Sequence, residues 1–239
     1  MKHAPLTVRT IRARAVRAPM KRPLGTSAAR MTHAPLVLVD VETQEGVTGC
    51  AYAFCYLDIA MQMLISVVSD IGEALEGERV DPGRLRDMGS KRYGLLGTPG
   101  VVGMALAAID VAFWDALSCA AGQPLSRYLG AEASSVLAYN SNGLSIGDVA
   151  PLADEAQELL EPGFTALKIR LGRHDAREDL AAVRAVRGAV PGGTKIMSDF
   201  NQALSVAEAI ERGLALDGEG LEWIEEPVAH DDLVGCAEV

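Results

Sequence analysis

The spacing of apolar and polar positions divides the chain into two parts. In the first part, short runs of alternating apolar and polar residues surround a TQEG turn, which is typical of antiparallel strands. Longer runs with a period of about 3.6 residues follow, which is typical of amphipathic helices. These runs predict strands at 7–16, 35–42 and 46–54, then helices at 57–75, 81–93 and 101–121. The intervening residues 19–33 are basic and rich in small side chains, so they predict a mobile surface loop.

The second part alternates short apolar runs with helical runs, at a spacing of roughly 30 residues. The predicted strands lie at 136–141, 166–171, 195–200 and 221–225, and the predicted helices at 146–160, 175–190 and 206–216. Because strands that alternate with helices form βαβ units, this part predicts a parallel sheet. The predicted fold class is therefore α/β, with an α+β domain at 1–133 followed by a parallel-sheet domain at 134–239.

Two parallel architectures fit that alternation, a doubly wound sheet and a TIM-type barrel. A doubly wound sheet carries a glycine-rich phosphate loop after its first strand, but the turn SNGLSIG lacks that spacing. A TIM barrel carries polar functional residues at the carboxyl ends of several strands. The predicted strands end on such residues, namely Ser141, Lys168, Arg170, Asp199, Asn201, Glu225 and Glu226. We therefore predict the first half of a TIM-like barrel, because a complete barrel needs roughly 250 residues.

Composition and charge restrict the class of partner. The formal net charge of −10 argues against nucleic acid, although a cleft that holds a metal ion still admits a small anionic substrate. The apolar run at 100–122 contains Asp110 and Asp115, so it predicts a buried helix and no membrane span. Four cysteines without metal-site spacing predict reduced, mostly buried thiols. With no signal-peptide pattern at the amino terminus, these features predict a cytoplasmic protein.

Two carboxylates are the strongest candidates for metal binding. Asp199 and Glu225 each end a predicted apolar strand, so in a barrel both point toward the mouth. Carboxylate oxygens that converge in this way suit a hard cation such as Mg²⁺. The alternative is structural, because the same residues could cap helices or join salt bridges, and spacing alone leaves both interpretations open.

Two cations on the preceding strand add to that pattern. Lys168 and Arg170 are two residues apart, so they share one face of their strand. Buried cations need a partner, and the carboxylates of the next two strands provide one. A structural ion pair would explain the cations alone, but two cations and two carboxylates on three consecutive strand ends favour a functional site.

Five sequence runs resemble one known family. They are APLVLVDVETQEGVTG, GMALAAIDVAFWDALSCAAGQPLSRYLG, GFTALKIRLG, MSDFNQALSVAEAI and LEWIEEP. The runs come in the family's order without large gaps, and together they cover essentially the whole chain. On these runs the chain is similar to the mandelate racemase group of the enolase superfamily, which includes the muconate lactonizing enzymes.

The resemblance implies a fold and a cofactor. It makes 1–133 a capping domain whose loops close over the substrate, and 134–239 the first four β/α units of an incomplete (β/α)₇β barrel. It implies Mg²⁺ as the cofactor, with Asp199 as the first metal ligand and Glu225 as the second. The family's third ligand comes from a following strand.

The resemblance also implies substrate-binding residues. Ser141 aligns with a polar residue near the substrate carboxylate, and Asn201 with a residue beside the metal. Phe54, Tyr56 and Thr26 align with the part of the cap that faces the substrate. The implied partner is a small carboxylate, and the family resemblance suggests a homo-oligomer.

The family's shared chemistry is abstraction of the proton α to a carboxylate, through an enediolate that Mg²⁺ and cationic donors stabilise. The resemblance makes Lys168 and Arg170 the catalytic residues. The family's usual KxK motif, however, has lysine where this chain has Arg170. A guanidinium is a poor base and a good carboxylate clamp. Dehydration of a sugar acid with one base therefore fits better than racemisation of a 2-hydroxy acid with two bases, although both stay open.

The opposite base of the family, a His–Asp pair, belongs to late strands beyond this sequence. The ending GCAEV carries no helix stop signal, so we expect the complete chain to extend beyond residue 239. A hypothesis from another class is that 239 residues are the whole product. It would then be a non-catalytic remnant, a binding or oligomer-interface protein, because two of three ligands bind Mg²⁺ weakly.

Overall fold

A computed structural model describes residues 5–27, 29–132 and 134–239, and the chain forms two compact units. Unit 1 comprises residues 1–19 and 33–135, and unit 2 comprises residues 20–32 and 136–239. The predicted boundary at 133/134 divides the chain at one point, so it assigns every residue before 134 to the first domain. In the structure, one segment leaves unit 1 and the chain then returns to that unit. Residues 20–32 are that segment, and they belong with the second unit.

Among the described residues, unit 1 contains four helices and most of a three-stranded sheet, whose first two strands extend into residues 20–32 of unit 2. The strands, in the order β1–β2–β3, are β1 (Val8–Gly25), β2 (Arg30–Thr43) and β3 (Thr48–Phe54). The helices are α1 (Asp58–Leu75), α2 (Pro82–Arg92), α3 (Val101–Ala120) and α4 (Leu125–Tyr128). Strands β2 and β3 pair antiparallel from Leu36 opposite Phe54 to Glu42 opposite Thr48, as the TQEG turn predicts.

The predicted mobile loop at 19–33 is wrong, because β1 continues to Gly25 and β2 begins at Arg30. Most side chains along this ribbon are exposed or half-buried. With so little apolar burial, the alternation that reveals a strand in a sequence is absent. The ribbon is also anchored within unit 2, where Arg22 bonds Glu155 Oε1 at 3.1 Å and Glu158 Oε2 at 2.7 Å.

Helix α3 is the core element of unit 1 and packs against β3, α1 and α2. In the part of the chain that the structure describes, it is the one helix that length and composition would allow to cross a membrane. Ile109, Ala112 and Phe113 are fully buried inside the unit, which is the situation of a core helix. A Cβ on Gly49 would lie 2.0 Å from the carbonyl oxygen of Ala112, so only glycine lets β3 approach α3 this closely. Of the four cysteines only Cys55 is buried, so the prediction of mostly buried thiols is wrong.

An ion pair between α1 and the end of α2 should make the stability of unit 1 depend on acid. Asp70 accepts hydrogen bonds from Arg92 Nε at 2.8 Å, from Arg92 Nη2 at 2.6 Å and from the Tyr93 hydroxyl. Arg92, and after it Tyr93, lower the pKa of Asp70 to about 2. Because the folded-state pKa lies below the unfolded value of about 3.9, the pair stabilises above pH 4, and this contribution is lost as the pH falls toward 2.

We therefore expect Asp70→Asn to lower the free energy of unfolding at pH 7 and to have little effect near pH 2. The measurement is urea unfolding of both proteins at pH 7, 4 and 2.5 in a Trp223→Phe background, where Trp114 fluorescence reports on unit 1 alone. Because the Asp70 carboxylate is partly exposed, the difference at pH 7 should be modest. A difference that stays constant down to pH 2.5 would contradict the assignment.

Unit 2 contains a parallel sheet with helices between its strands. The strands, in the order β4–β5–β6, are β4 (Ala166–Arg170), β5 (Lys195–Asp199) and β6 (Leu221–Glu225). The helices are α5 (Leu152–Leu160), α6 (Ala176–Ala189), α7 (Val206–Leu216), a 3₁₀ turn (Asp217–Glu219) and α8 (Leu233–Glu238). Sequential strands lie side by side and parallel, which confirms the α/β fold class.

Two predicted elements at the start of unit 2 differ from the structure. Residues 136–141 do not form a strand, and only Asn140 pairs with β4, through a bridge to Leu167. Val136 and Leu137 are largely exposed, so their apolar character reflects no burial within the described residues. The helix predicted at 146–160 begins only at Leu152, because Pro151 stands directly before it.

Candidate active site

The parallel register brings the predicted strand-end residues side by side. Arg170 of β4 lies opposite Asp199 of β5, and Asp199 lies opposite Glu225 of β6. Lys168 shares the Arg170 face, because side chains two positions apart on a strand point the same way. The sheet thus places two cations and two carboxylates at the carboxyl edge of three consecutive strands.

These four side chains form one ion cluster. Lys168 Nζ lies 3.0 Å from Asp199 Oδ2 and 2.9 Å from Glu225 Oε1. Arg170 Nη1 donates to the same Asp199 Oδ2 at 2.7 Å. Lys168, Arg170 and Asp199 are buried, whereas the Glu225 side chain is about one third exposed. One ammonium therefore contacts both carboxylates, and both carboxylates lie within reach of a single ion.

The second oxygen of each carboxylate has its own donor. Asp199 Oδ1 accepts from the backbone N–H of Asn201 at 2.8 Å, and Glu225 Oε2 accepts from Trp223 Nε1 at 3.2 Å. Trp223 precedes Glu225 by two residues, so both side chains lie on one face of β6. Its indole is 43% exposed and also contacts the Tyr139 ring edge to face, at 5.7 Å between centroids. Trp223 is therefore an exposed neighbour of Glu225 and not a core residue.

Opposing effects act on the charge of Lys168. Burial disfavours the ammonium and would lower its pKa, but the bonds to Glu225 and Asp199 outweigh burial, so the pKa of Lys168 lies above its ordinary value. The Tyr139 ring, 5.8 Å from Nζ, adds a weak cation–π contact. In this arrangement Lys168 is a cation that holds two carboxylates together.

Unpaired atoms and strained backbone mark the same edge of the sheet. Asn201 Oδ1 and Arg170 Nε are buried without a hydrogen-bond partner. Asn201, Gln202 and Glu226 have positive φ angles of 50°, 62° and 44°, a conformation that costs free energy for a residue with a side chain. Buried unpaired polar atoms and strained residues cluster at functional sites, so this edge is the best candidate in unit 2.

The oxygen atoms at this edge fit a hard divalent cation in part. Two carboxylates converge on one point, and the unpaired Asn201 Oδ1 is a further oxygen on the same strand end. Within residues 5–27, 29–132 and 134–239, no group of three or more His, Cys, Asp or Glu side chains is arranged to hold a metal ion. The chain therefore offers part of an oxygen-ligated site.

The substrate-binding residues suggested by resemblance lie in different places. Ser141 follows Asn140, whose carbonyl accepts from the Lys168 backbone N–H at 3.0 Å, so Ser141 emerges beside the end of β4. Thr26 lies at the tip of the β1–β2 hairpin in unit 2, where its backbone N–H bonds Ala29 O at 2.9 Å. The substrate-binding roles of both residues stay predictions.

Phe54 and Tyr56 belong to unit 1. They lie at the carboxyl end of β3 and just beyond it, with ring centroids 4.7 Å apart in an edge-to-face contact. Tyr56 has a positive φ of 57° and an exposed side chain. Their predicted contact with substrate stays a prediction.

Three contacts near the cluster were not predicted from the sequence. Gln202 Nε2 bonds Glu226 Oε1 at 3.3 Å, and Gln202 Oε1 lies 2.9 Å from His230 Nδ1. The third is the Trp223 bond to Glu225. The Trp223 contact could have been predicted, because Trp223 lies two positions before Glu225 on the same predicted strand and so shares its face. No sequence pattern predicts the positive φ angles of Gln202 and Glu226, which bring these two side chains together.

Comparisons with known proteins identify the family of both parts of the chain. Residues 8–130 match the model of the mandelate racemase / muconate lactonizing enzyme N-terminal domain. Residues 151–239 match the enolase C-terminal domain-like model. The two matches cover most of the chain and follow each other in the same order as the two predicted domains.

Individual relatives share these domains. The chain is 31% identical over 226 residues to a 3,6-anhydro-alpha-L-galactonate cycloisomerase of Streptomyces coelicolor, covering 91% of this chain and 62% of that protein. It is 27% identical to the L-talarate/galactarate dehydratase of Salmonella typhimurium, covering 87% and 53%. A Bradyrhizobium enolase crystallised with magnesium and mandelic acid superposes with a TM-score of 0.91 at 39% identity, over 100% of this chain and 66% of that one.

The chain thus spans less than two thirds of the length of these relatives. The two family models nevertheless match in the order of the two predicted domains, and the ion cluster lies in the region that the enolase C-terminal domain-like model covers. The chain belongs to the mandelate racemase / muconate lactonizing enzyme family of the enolase superfamily.

Proposed function

We propose that this protein takes part in magnesium-dependent abstraction of the proton α to a carboxylate, on a sugar acid or a 2-hydroxy acid. The observation that carries the proposal is the bridge from one buried ammonium, Lys168, to the carboxylates of Asp199 and Glu225 on adjacent parallel strand ends. Relatives named as a dehydratase and a cycloisomerase of sugar acids support this substrate class.

Asp199 and Glu225 are the residues that would hold magnesium, with the unpaired Asn201 Oδ1 as a neighbouring oxygen. Magnesium commonly uses one or two protein carboxylates together with waters and substrate oxygens, so this set fits it. When bound, the ion supplies a Lewis acid that stabilises negative charge on the substrate carboxylate. Its affinity in this chain should be modest, because the described residues offer two carboxylates.

Lys168 and Arg170 take different roles. Lys168 Nζ can accept the α-proton only as a neutral amine. Its raised pKa comes from Glu225 and Asp199, so a metal ion that took these carboxylates as ligands would leave burial to lower that pKa. A guanidinium is a poor base, so Arg170 orients and neutralises a carboxylate and removes no proton. One base on this face favours loss of water from a sugar acid over racemisation, which needs proton transfer on two faces.

Trp223 provides the experiment that tests the proposal. The chain has two tryptophans, so in a Trp114→Phe background Trp223 is the single emitter, and its indole bonds the proposed ligand Glu225. We expect magnesium to change its fluorescence saturably, and Glu225→Gln to abolish the change. Glu222→Gln, on the same strand with an exposed pair to Lys195, is the matched control.

The full chain should then be screened for turnover with galactarate, other sugar acids and mandelate in the presence of magnesium. Turnover with magnesium and none with EDTA is the expected result. A wild-type protein that neither responds to magnesium nor turns over any of these acids would overturn the proposal. The hypothesis of a non-catalytic binding or oligomer-interface protein would then take its place.

A further inference from the structure

A second buried ion cluster lies behind the candidate active site, among residues that the proposed reaction does not use. Asp179 on α6, Arg212 on α7 and Arg173 in the loop after β4 are all buried. Asp179 is fully buried and bonds Arg212 Nη1, while Arg173 Nη1 lies 3.6 Å from its other oxygen. Buried charges are costly, so a cluster of three needs a physical reason.

The cluster fixes the backbone of the loop that leaves β4. Asp179 accepts from the backbone N–H groups of Gly172 and Arg173, both at 3.1 Å. Arg212 donates to the carbonyl oxygen of Arg173 at 2.9 Å and to that of His174 at 3.4 Å. Two helices thus hold the same three-residue loop through charge-assisted hydrogen bonds, which are stronger than neutral ones.

The guanidinium of Arg173 also contacts the end of β4 and residues 145–147. It donates to the carbonyl oxygen of Arg170 at 3.0 Å, and to the carbonyl oxygens of Ser145 and Gly147 at 3.4 Å each. Burial lowers the pKa of Arg173, and the attraction of Asp179, 3.6 Å away, offsets this only in part. Its planar fork joins the end of β4 to residues 145–147, next to the backbone bond from the Arg170 N–H to Leu144 O.

Residues 145–147 also receive the tip of the β1–β2 hairpin. The Ser145 hydroxyl accepts from the Gly25 backbone N–H at 3.0 Å and donates to the Pro23 carbonyl at 3.3 Å. The Ile146 N–H bonds the Gly25 carbonyl at 3.1 Å. Arg173 therefore contacts, through one side chain, the backbone of Arg170 and the segment on which the hairpin rests.

We propose that Arg173 is a positioning residue, which holds the end of β4 and the 145–147 segment in one arrangement so that Arg170 and the hairpin tip face the same space. Asp179 and Arg212 hold the backbone of the loop that carries Arg173. Ion clusters of this kind contribute little net stability compared with apolar packing of the same volume, so position is the role that their contacts explain. The effect on turnover rests on the proposed function, whereas the effect on local structure does not.

The first test therefore measures structure in the apo full chain. Hydrogen–deuterium exchange with mass spectrometry would compare wild type with Arg173→Met, Arg173→Lys and the control Arg177→Met, whose side chain is 92% exposed on the same helix–loop region. We expect exchange about tenfold faster or more in peptides covering 142–147 and 168–174, in both Arg173 variants and not in the control. Lysine keeps the positive charge but cannot donate to three carbonyl oxygens at once. The Arg173→Lys variant therefore distinguishes the effect of guanidinium geometry from the effect of charge.

The second test separates positioning from general destabilisation. At a temperature well below the unfolding midpoint of each variant, Arg173→Lys should lower kcat about tenfold or more on the acid that wild type turns over. The dissociation constant for magnesium alone, read from Trp223, should change less than threefold, because Arg173 contacts neither Asp199 nor Glu225.

Each outcome decides a different claim. Wild-type exchange at 142–147 and 168–174 in a folded Arg173→Lys protein would overturn the positioning role, whatever the activity. A wild-type protein with neither a magnesium response nor turnover would overturn the proposed function and leave the exchange result to decide the role of Arg173. If Arg173→Met does not fold, Arg173→Lys carries the comparison alone.

Discussion

Asp199→Asn should remove magnesium binding and turnover together. Asp199 Oδ2 accepts from both Lys168 and Arg170, and Oδ1 accepts from the Asn201 backbone, so this carboxylate is the centre of the cluster. An amide is neutral and offers one acceptor oxygen where the carboxylate offers two. We expect turnover to fall by at least about a thousandfold, as when electrostatic stabilisation of a transition state is lost.

The same substitution should cost stability in unit 2. Arg170 is buried and Asp199 is its carboxylate partner at 2.7 Å, so removing the charge leaves a buried guanidinium uncompensated. Breaking a buried pair from one side typically costs about 3 kcal/mol. Urea unfolding and the Trp223 magnesium titration on one preparation measure both effects.

Asp217→Asn is the matched control, because Asp217 is exposed in the 3₁₀ turn of the same unit. It should leave both magnesium binding and stability unchanged. An Asp199→Asn protein that folds and binds magnesium as tightly as wild type would remove Asp199 from the proposed ligand set.

The core of unit 2 was predictable because its strands carry strong local signals. The run that becomes β4, ALKIR, is buried at every position, and β5 is buried at all but its first. A buried parallel strand reads as a short continuous apolar run, so the two cations of β4 and the aspartate that ends β5 are conspicuous in the sequence. Parallel pairing in chain order then brings Arg170, Asp199 and Glu225 together without any further information.

Other features depend on contacts that no local pattern encodes. The 20–25 end of β1 is a half-exposed ribbon held by Arg22 and by the bonds of Gly25 to a segment about 120 residues away in sequence. Residues 136–139 are apolar but exposed, so their composition predicts a strand where the backbone forms none. In both cases burial, which the sequence only suggests, decides the structure.

The site shows the same division. Side-chain alternation and strand ends predict which residues meet, but the unpaired Asn201 Oδ1 and the positive φ angles at the strand ends arise from backbone geometry. The bond from Trp223 to Glu225 needs one rotamer of each side chain, so spacing alone permits it without requiring it. Substrate specificity lies at this finer level, which is why the sequence leaves the acid unidentified.

Lys168→Met should separate magnesium binding from chemistry. Methionine is unbranched and similar in length, so it fills the space beside Tyr139 while removing the ammonium between Asp199 and Glu225. The carboxylates then lose a competing cation about 3 Å away, so we expect magnesium to bind as tightly as in wild type or more tightly. Asp199 keeps Arg170 as its partner, and the protein should stay folded.

Turnover should nevertheless fall by at least about a thousandfold, because a thioether accepts no proton from a carbon acid. Lys195→Met is the matched control, since Lys195 begins β5 at the opposite edge of the sheet and pairs with Glu222 near the surface. Magnesium titration by Trp223 fluorescence and turnover on the same preparations give both readouts. Weakened magnesium binding in Lys168→Met would mean that Lys168 holds the carboxylates in place for the metal, whereas retained turnover would show that another group takes the proton.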